Sequence, residues 1–466
     1  MKSIQILLTV LFLTFIHSQL LSFTPSGLLE IHTINVQQGT SVLVIGPDGT
    51  TILLDGGNNG KGSGEVVPYL ESIGLQSVDG LDYMIASHLH ADHLGGLDEV
   101  ILEGYDVRKK IYDNGSDYWT QTVEEFKEAS ERTTAGSSEK IPLGTVIPLG
   151  DCAMATCVTA DGEILGHGNV ENALVNENDR SIGILIEYHQ FQYLFAGDLG
   201  GGSDDSVCTG RKTLQVNVET PLVSSLLPEG GASLLGTLGI EVLHVNHHGS
   251  ESSTNSDWMN LLTPQVALIS VGDGQSLGWN HPRKAVVENV LSAGRYCISA
   301  DSCLVLQTEE GSPIGNETSF AGFCVGDIFI QTEGHFSFRI VASGSVSQGP
   351  VEILGSGLPR EFKMEEYSWG STFLIQNTIQ KIYPNPFSCS TTIRFQLFRE
   401  DQISLKIYDL TGSLIKTLID GEELAGLHDR LWVGENDDGE EVPMGVYLFH
   451  IQGKGFDESK RVTLLR

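Results

Sequence analysis

The chain is 466 residues long, 40% hydrophobic and 19% charged, a composition of soluble globular proteins and a length that rules out one ordinary core. Its 60 acidic residues against 27 lysines and arginines give a formal net charge of −33, which excludes a generally basic face for polyanions. Contact with a nucleic acid would then need a bound metal or a local basic patch.

Met1-Lys2-Ser3 precedes an apolar stretch over residues 4–16 and then His17-Ser18-Gln19. A positive start, a short apolar run and small residues predict a secretory signal over 1–22, cut near Ser18 or Ser22. The run is short of the ~20 residues of a membrane helix, and no later segment is long and apolar enough to cross a bilayer, so no stable membrane span is expected in the mature chain. The seven cysteines (Cys152, Cys157, Cys208, Cys297, Cys303, Cys324, Cys389) suit an oxidising compartment and read as structural. Cys152 with Cys157 and Cys297 with Cys303 are the closest pairs, and no Cys-x-x-Cys spacing occurs.

Residues 28–45 alternate as a strand broken by Gln37-Gln38-Gly39-Thr40; Gly46-Pro47-Asp48-Gly49 turns it, 51–54 returns, and Asp55-Gly56-Gly57 closes it. Residues 65–73 carry helical spacing and lead into the apolar run 81–86, which reads as a buried strand. Helices are predicted over 94–102 and 123–132, strands over 181–188 and 191–195, an irregular insertion over 200–231, and strands over 240–245 and 266–271. A helix over 284–291, a hairpin of 296–299 with 303–308, and late strands within 326–341 follow. Strands alternating with helices, and hairpins at each end, predict two sheets between helical layers. A linker over 346–378, rich in Gly, Ser and charge, then leads to closely spaced short strands over 379–466, the pattern of a small all-β, immunoglobulin-like sandwich.

The chemistry concentrates in Ser87-His88-Leu89-His90-Ala91-Asp92-His93, directly behind the 81–86 strand. Three imidazoles and a carboxylate at a strand's carboxyl end stand where α/β folds bind ligands, and these donors suit zinc, manganese or iron. Asp198, His247-His248 and His281 each follow a predicted strand in the same way. Singly, each reads as a turn residue or a structural histidine. Together with His88, His90, Asp92 and His93 they supply ligands for two neighbouring cations. A carboxylate such as Asp198 can bridge ions ~4 Å apart, with a hydroxide held between them as nucleophile. His32, His189, His244 and His335 lie in or beside strands and are expected to be structural.

Taken in order, Asp55-Gly56-Gly57, His88-x-His90-x-Asp92-His93, Asn178-x-x-Ser181, Gly197-Asp198, His247-His248-Gly249-Ser250 and His281-Pro282 resemble the metallo-β-lactamase superfamily. Within it, the chain resembles the extracellular hydrolase domain of the competence protein ComEC, over residues 28–345. The resemblance implies an αββα sandwich with a binuclear site at the sheet edge, holding two divalent ions, expected to be zinc, with manganese as the alternative. With either metal at both positions, it implies His88 and His90 as ligands of the first ion. Asp92, His93 and one of His247 or His248, with His248 favoured, would serve the second, and Asp198 would bridge. Two departures are visible. Many relatives carry a further first-ion histidine where this chain reads Asn178-Asp179-Arg180-Ser181, with His167 as a remote substitute. The turn common in the family, Asp-Val-Gly-Gln-Gly-Asp, here reads Asn35-Val36-Gln37-Gln38-Gly39-Thr40. His281 has two equal readings, a proton donor to a leaving oxygen or a cap on the helix from Pro282.

Near the C-terminus, Ile382-Tyr383-Pro384-Asn385-Pro386-Phe387, Ile407-Tyr408-Asp409-Leu410-Thr411-Gly412 and Gly445-Val446-Tyr447 resemble the type IX secretion sorting domain. That implies export across both membranes by the type IX machinery, with removal or surface attachment of the tail.

The expected function is a secreted metal-dependent hydrolase of phosphodiesters, either DNA or a small ester such as a nucleotide or phosphocholine ester. Arg108-Lys109-Lys110, Arg211-Lys212 and Arg283-Lys284 are the clearest basic clusters for a polyanion, and ordinary surface charge is the simpler reading of them. The alternatives are lactam or thioester hydrolysis and a non-catalytic metal-binding surface protein. The carboxylates Asp92 and Asp198 speak against the last, because structural zinc sites are closed and rely on Cys or His.

Overall fold

In the computed structural model, the described residues are 23–203, 205, 213–228, 230–235, 239–273, 281–283, 286, 303–309, 311, 323–324, 326–334, 337–342, 360–363, 378–397, 401–423, 426–454 and 456–465. The predicted signal, Cys208, Arg211-Lys212, all of the 284–291 helix but Val286, the 296–299 strand with Cys297, His335 and most of 346–378 lie outside them.

The early strands are apolar on both faces, and both faces are used. In Val42–Ile45, Val42 and Val44 enter one core while Leu43 and Ile45 enter another. In Gly183–Tyr188, Ile184 and Ile186 share the first core and Leu185 joins a third. A period of two therefore sends alternate residues of each strand to opposite layers. The shared core lies between two sheets. Outside the first sheet, Val67–Ser72, Leu97–Leu102 and Gln121–Ser130 contribute Leu70, Val100 and Phe126. Outside the second, Glu219–Leu226 and Ser256–Leu262 contribute Leu222 and Trp258. The layers are helix, sheet, sheet, helix, as expected.

The first sheet runs in space as Arg360–Lys363, Ser337–Ala342, Ile328–Thr332, Leu29–Thr33, Val42–Ile45, Thr51–Leu54, Leu81–Ile85, Val107–Asp113, Glu139–Lys140. The second runs as Gly168–Asn169, Glu163–Ile164, Ala153–Ala160, Gly183–Tyr188, Phe191–Phe195, Val242–His244, Val266–Ile269, Leu304–Gln307, Phe323–Cys324, with Val146–Gly150 also on Ala153–Ala160. Thr51–Leu54, Leu81–Ile85 and Val107–Asp113 are parallel neighbours, as are Phe191–Phe195, Val242–His244 and Val266–Ile269. Parallel strands share one carboxyl edge, which is where such sheets bind ligands. The Ile182 N–H donates to the Ser87 carbonyl at 2.8 Å and so joins the two edges.

Four expectations need correction. Residues 200–231 are not wholly irregular, since they contain the helix Glu219–Leu226. Pro221 suits its first turn, Asn217 Oδ1 accepts the Thr220 N–H at 3.0 Å, and glycine-rich flanks hide it in the sequence. Leu304–Gln307 is a parallel strand between Val266–Ile269 and Phe323–Cys324, a crossover arrangement and not a closing hairpin. Within the expected linker, Arg360–Lys363 pairs antiparallel with Ser337–Ala342 and extends the first sheet. Cys157 is a buried thiol that donates to the Thr159 carbonyl at 3.6 Å, with burial raising it to about 12, so it forms no bridge with Cys152.

The C-terminal segment pairs Thr378–Tyr383, Thr391–Leu397 and Gly426–Trp432 in one sheet. Leu414–Glu423, Asp401–Asp409, Gly445–Gly453 and Phe456–Leu464 form the other. Phe395, Trp432 and Phe449 belong to its core, giving the expected small β-sandwich. No helix among the described residues is long and apolar enough to cross a membrane.

Candidate metal centre

The Ser87–His93 stretch leaves the buried strand Leu81–Ile85 and is held by backbone as much as by side chains. Asp55 accepts the Ser87 N–H on Oδ1 and the Ser87 hydroxyl on Oδ2, both at 2.7 Å. The Thr40 N–H donates to the Asp92 carbonyl at 3.0 Å. A side chain at Gly39 (φ +135°) would press on that carbonyl, so the departed Gln-Gly turn keeps its backbone role. Leu89, between the two leading histidines, donates its N–H to Glu177 Oε1 at 3.0 Å. Glu177 also accepts from Asn114 Nδ2 at 2.8 Å and the Ser116 hydroxyl at 2.6 Å.

From the second sheet, Asp198 follows Gly197, whose φ of +54° and close approach suit only glycine. A Cβ there would meet Ser87 Oγ at 2.8 Å. His247 and His248 are both left-handed, with φ of 51° and 53°. Extended residues would send successive rings to opposite faces. The left-handed pair turns both rings toward Asp198, at a cost of roughly 1–2 kcal/mol per residue.

Asp198 divides the site. Its Oδ2 lies 3.8 Å from His88 Nε2 and 3.5 Å from His247 Nε2. Its Oδ1 lies 3.0 Å from His93 Nε2 and 3.7 Å from His248 Nε2. His90 Nδ1 is 3.1 Å from His88 Nε2, and Asp92 Oδ2 is 3.4 Å from His248 Nε2. The far ring nitrogens are taken. His93 Nδ1 meets Asp55 Oδ2 at 2.7 Å and His248 Nδ1 meets the Ser270 carbonyl at 2.7 Å. His247 Nδ1 lies between Gln215 Oε1 at 2.9 Å and Ser252 Oγ at 2.8 Å. Acceptors at Nδ1 hold a ring proton there, so Nε2 is the nitrogen that can meet a cation once any second proton has left.

His93 Nε2, His248 Nε2 and Asp198 Oδ1 are buried and converge on one another, His93 Nε2 on Asp198 Oδ1 at 3.0 Å and His248 Nε2 on Asp92 Oδ2 at 3.4 Å, with no aligned hydrogen bond outside the cluster among the described residues. Imidazole nitrogens and carboxylate oxygens that converge in a buried place are the donor set of a cation. Two groups meet that description, His88 with His93 and Asp198, and Asp92 with His93 and His248, their ligand atoms lying within 4.8 Å of one another. Burial opposes charge on His93, yet Asp198 and Asp55 overcome it and hold the imidazole well above its ordinary range. Burial likewise opposes charge on Asp198, but His93, His247 and His248 hold the carboxyl well below its own. A proton on His93 thus balances the anions, and a cation entering there displaces it.

The ring of His281 lies 5.3 Å from that of His247 and 6.2 Å from that of His248. Burial first, then those two rings, lowers it to about 2, so it is a neutral imidazole. His167 is exposed on the turn between Glu163–Ile164 and Gly168–Asn169, away from this burial, and is no substitute ligand. His32 bonds Tyr69 at 2.9 Å, and buried His244 bridges Tyr193 at 2.9 Å and Ser270 at 3.1 Å, both structural as expected. Lys109 pairs with Asp82 at 3.3 Å and Lys110 with Glu139 at 2.8 Å, so this basic cluster is locally neutralised.

Sequence reasoning missed Glu177, Gln215 and Ser252. Gln215 lies in the stretch that reads as an insertion, yet it bonds His247, the Asp198 carbonyl (2.8 Å) and Asp179 (3.2 Å). Asp179 is fully buried and also accepts the Val216 N–H at 2.9 Å. Burial raises its carboxyl to about 7, above the ordinary 3.8. Its contribution to stability is therefore complete below the unfolded value and is lost as pH rises through the folded one. Asp179→Asn is expected to remove roughly 1–3 kcal/mol of the stability loss between pH 4 and 8. Urea midpoints across that range check it, and curves of equal slope for both proteins would refute it.

Residues 34–273 match the family described as the metallo-beta-lactamase superfamily, and residues 381–464 match the secretion system C-terminal sorting domain. The chain is similar to ComE operon protein 3 of Bacillus subtilis (strain 168), 23% identical over 336 residues, covering 69% of this chain and 37% of that protein. It is similar to Recombination protein 2 of Haemophilus influenzae, 26% identical over 268 residues, covering 56% of this chain and 26% of that protein. The chain thus spans well under half the length of either. Among solved structures, human tRNase Z, short form, matches with a TM-score of 0.29 at 13% identity, covering 52% of this chain and 92% of that one.

Proposed function

Because the chain belongs to the metallo-β-lactamase superfamily and carries a type IX sorting domain, we propose that it is an exported hydrolase of phosphodiesters working with two divalent ions, zinc or manganese. The observation that carries this reading is the division of ligand atoms about Asp198. We assign His88, His90 and His247 to one ion with Asp198 Oδ2, and Asp92, His93 and His248 to the other with Oδ1. His247 and His248 are then both ligands, one on each side. When bound, the ions supply Lewis acidity toward a phosphoryl oxygen and an acidified water. The chain supplies the rest. Asp55 and Ser270 hold the proton of His93 and His248 on Nδ1, and burial of His88, His93 and Asp198 excludes bulk water. We assign to neutral His281, beside His247, a ring N–H offered to the leaving oxygen.

A small ester is favoured over an extended polyanion. The net charge is −33, and Lys109, Lys110 and Arg180 are already engaged by Asp82, Glu139 and Asp161. The test uses the purified mature chain with a chromogenic phosphodiester, a phosphocholine ester, DNA and RNA. Hydrolysis is expected, strongest on the small esters, lost on chelation and restored by zinc or manganese. A protein that holds metal and cleaves no phosphodiester would end the proposal. Removal of 379–466 is expected to leave the hydrolase inside the outer membrane, measured by cell fractionation. Undiminished surface display would refute the role given to the tail.

A further inference from the structure

We propose that Asn178 Oδ1 is a ligand of the ion between His88 and His247, standing in for the further histidine of the family and turning that position toward manganese. This rests on the two-ion reading above. Asn178 opens the short turn Asn178–Arg180 ahead of the strand Gly183–Tyr188 and is only 7% exposed. Its backbone is fixed on both sides. The Asn178 N–H donates to Asn176 Oδ1 at 3.0 Å, and the Asn178 carbonyl accepts the Ser181 N–H at 3.0 Å. Its side chain therefore has a defined place, with Nδ2 3.4 Å from His247 Nε2.

The amide oxygen is the anomaly. Asn178 Oδ1 is buried with no hydrogen-bond partner among the described residues. A buried polar atom left unpaired costs about 1–3 kcal/mol, so an apolar residue would serve a purely structural role better. The two ends of an amide are close in shape, and a half-turn about the last side-chain bond exchanges them. That half-turn carries Oδ1 to the place beside His247 Nε2. Two lone-pair atoms would then face one point, with Asp198 Oδ2 already 3.5 Å from the same Nε2. Ligands bound at ~2.0–2.2 Å to one ion lie ~3–3.6 Å from each other, which matches these separations.

The chemistry of the donor follows. A third histidine would make this position nitrogen-rich and suited to zinc. An amide oxygen is a harder donor, and oxygen donors favour manganese over the softer choices.

The experiment uses the metal-free full mature chain, titrated with manganese(II), with bound ions counted by equilibrium dialysis and coupled ion pairs read by electron paramagnetic resonance. Wild type is expected to take up two ions per chain. Asn178→Leu is expected to keep one at wild-type affinity and to bind the other at least about 10-fold more weakly. Asn178→Asp, which preserves the shape and supplies a charged oxygen, is expected to bind that ion about 10-fold more tightly and to give a stronger coupled signal. Thermal melts of the metal-free proteins establish that the variants are folded. If folded Asn178→Leu binds both ions as wild type does, or Asn178→Asp shows unchanged affinity, the assignment of Asn178 falls and the two-ion reading stands. If wild type takes up fewer than two ions, both fall.

Discussion

Asp198→Ala is expected to reduce phosphodiester turnover on the order of 10⁴- to 10⁶-fold, the size of effect seen when one member of a catalytic unit is removed. The same change should release both ions. Each oxygen of Asp198 faces a different pair of imidazoles, Oδ2 toward His88 and His247 and Oδ1 toward His93 and His248. Asp92 shares a ligand group with His93 and His248, whereas Asp198 contacts histidines of both sets. Alanine also leaves His93 with one anionic neighbour instead of two, so its proton is less strongly held. Asp198→Asn keeps one oxygen and is expected to keep one ion. Metal content and kcat/KM measured together decide the matter. An alanine variant that retains two ions, or turns over within tenfold of wild type, would remove Asp198 from the bridging role.

Asp55→Ala carries the second large expectation, about 3–5 kcal/mol of stability, because it breaks a buried charge-assisted pair and leaves one partner behind. Asp55 and His93 are both fully buried and meet at 2.7 Å. Ser87 loses two acceptors in the same stroke. The more telling variant is Asp55→Asn. Its carbonyl oxygen must stay on the Ser87 N–H, since an amide N–H there would face another donor. The amide nitrogen then faces His93 Nδ1, which can only accept. The ring proton moves to Nε2, the atom that looks into the site. Asp55→Asn is therefore expected to fold nearly as well as wild type yet to bind metal about 10- to 100-fold more weakly. Denaturant midpoints with metal titration test the pair of variants. Equal metal affinity in Asp55→Asn and wild type would show that Asp55 does not set the tautomer.

These two residues differ in how far they were legible. Asp198 follows an apolar run in a Gly-Asp pair, and Asp55 begins an Asp-Gly-Gly, so both are visible as motif positions. Their roles are not, because a role depends on which atom faces which. The strand Val107–Asp113 is hidden by Arg108, Lys109 and Lys110, three exposed residues in succession that erase the alternation. The helix Glu219–Leu226 is hidden by its glycine- and serine-rich flanks. Glu177 and Gln215 have no local signature, since each acts on partners tens of residues away.

By itself the sequence determined the layered fold, the His88 to His93 cluster, the strand-end places of Asp198, His247, His248 and His281, and the sorting domain at the tail. Those are consequences of local patterns, of apolar period and of ligand types within a few residues. Only the tertiary structure decided which side of Asp198 each histidine faces, that His247 and His248 both turn inward, and that Asn178 presents an amide to His247. Those depend on two sheets meeting along one edge and on backbone angles that reverse the usual alternation, and neither is written in the spacing of the residues. The Ser87 to His93 stretch is one side of a site whose other side is folded toward it from more than a hundred residues away.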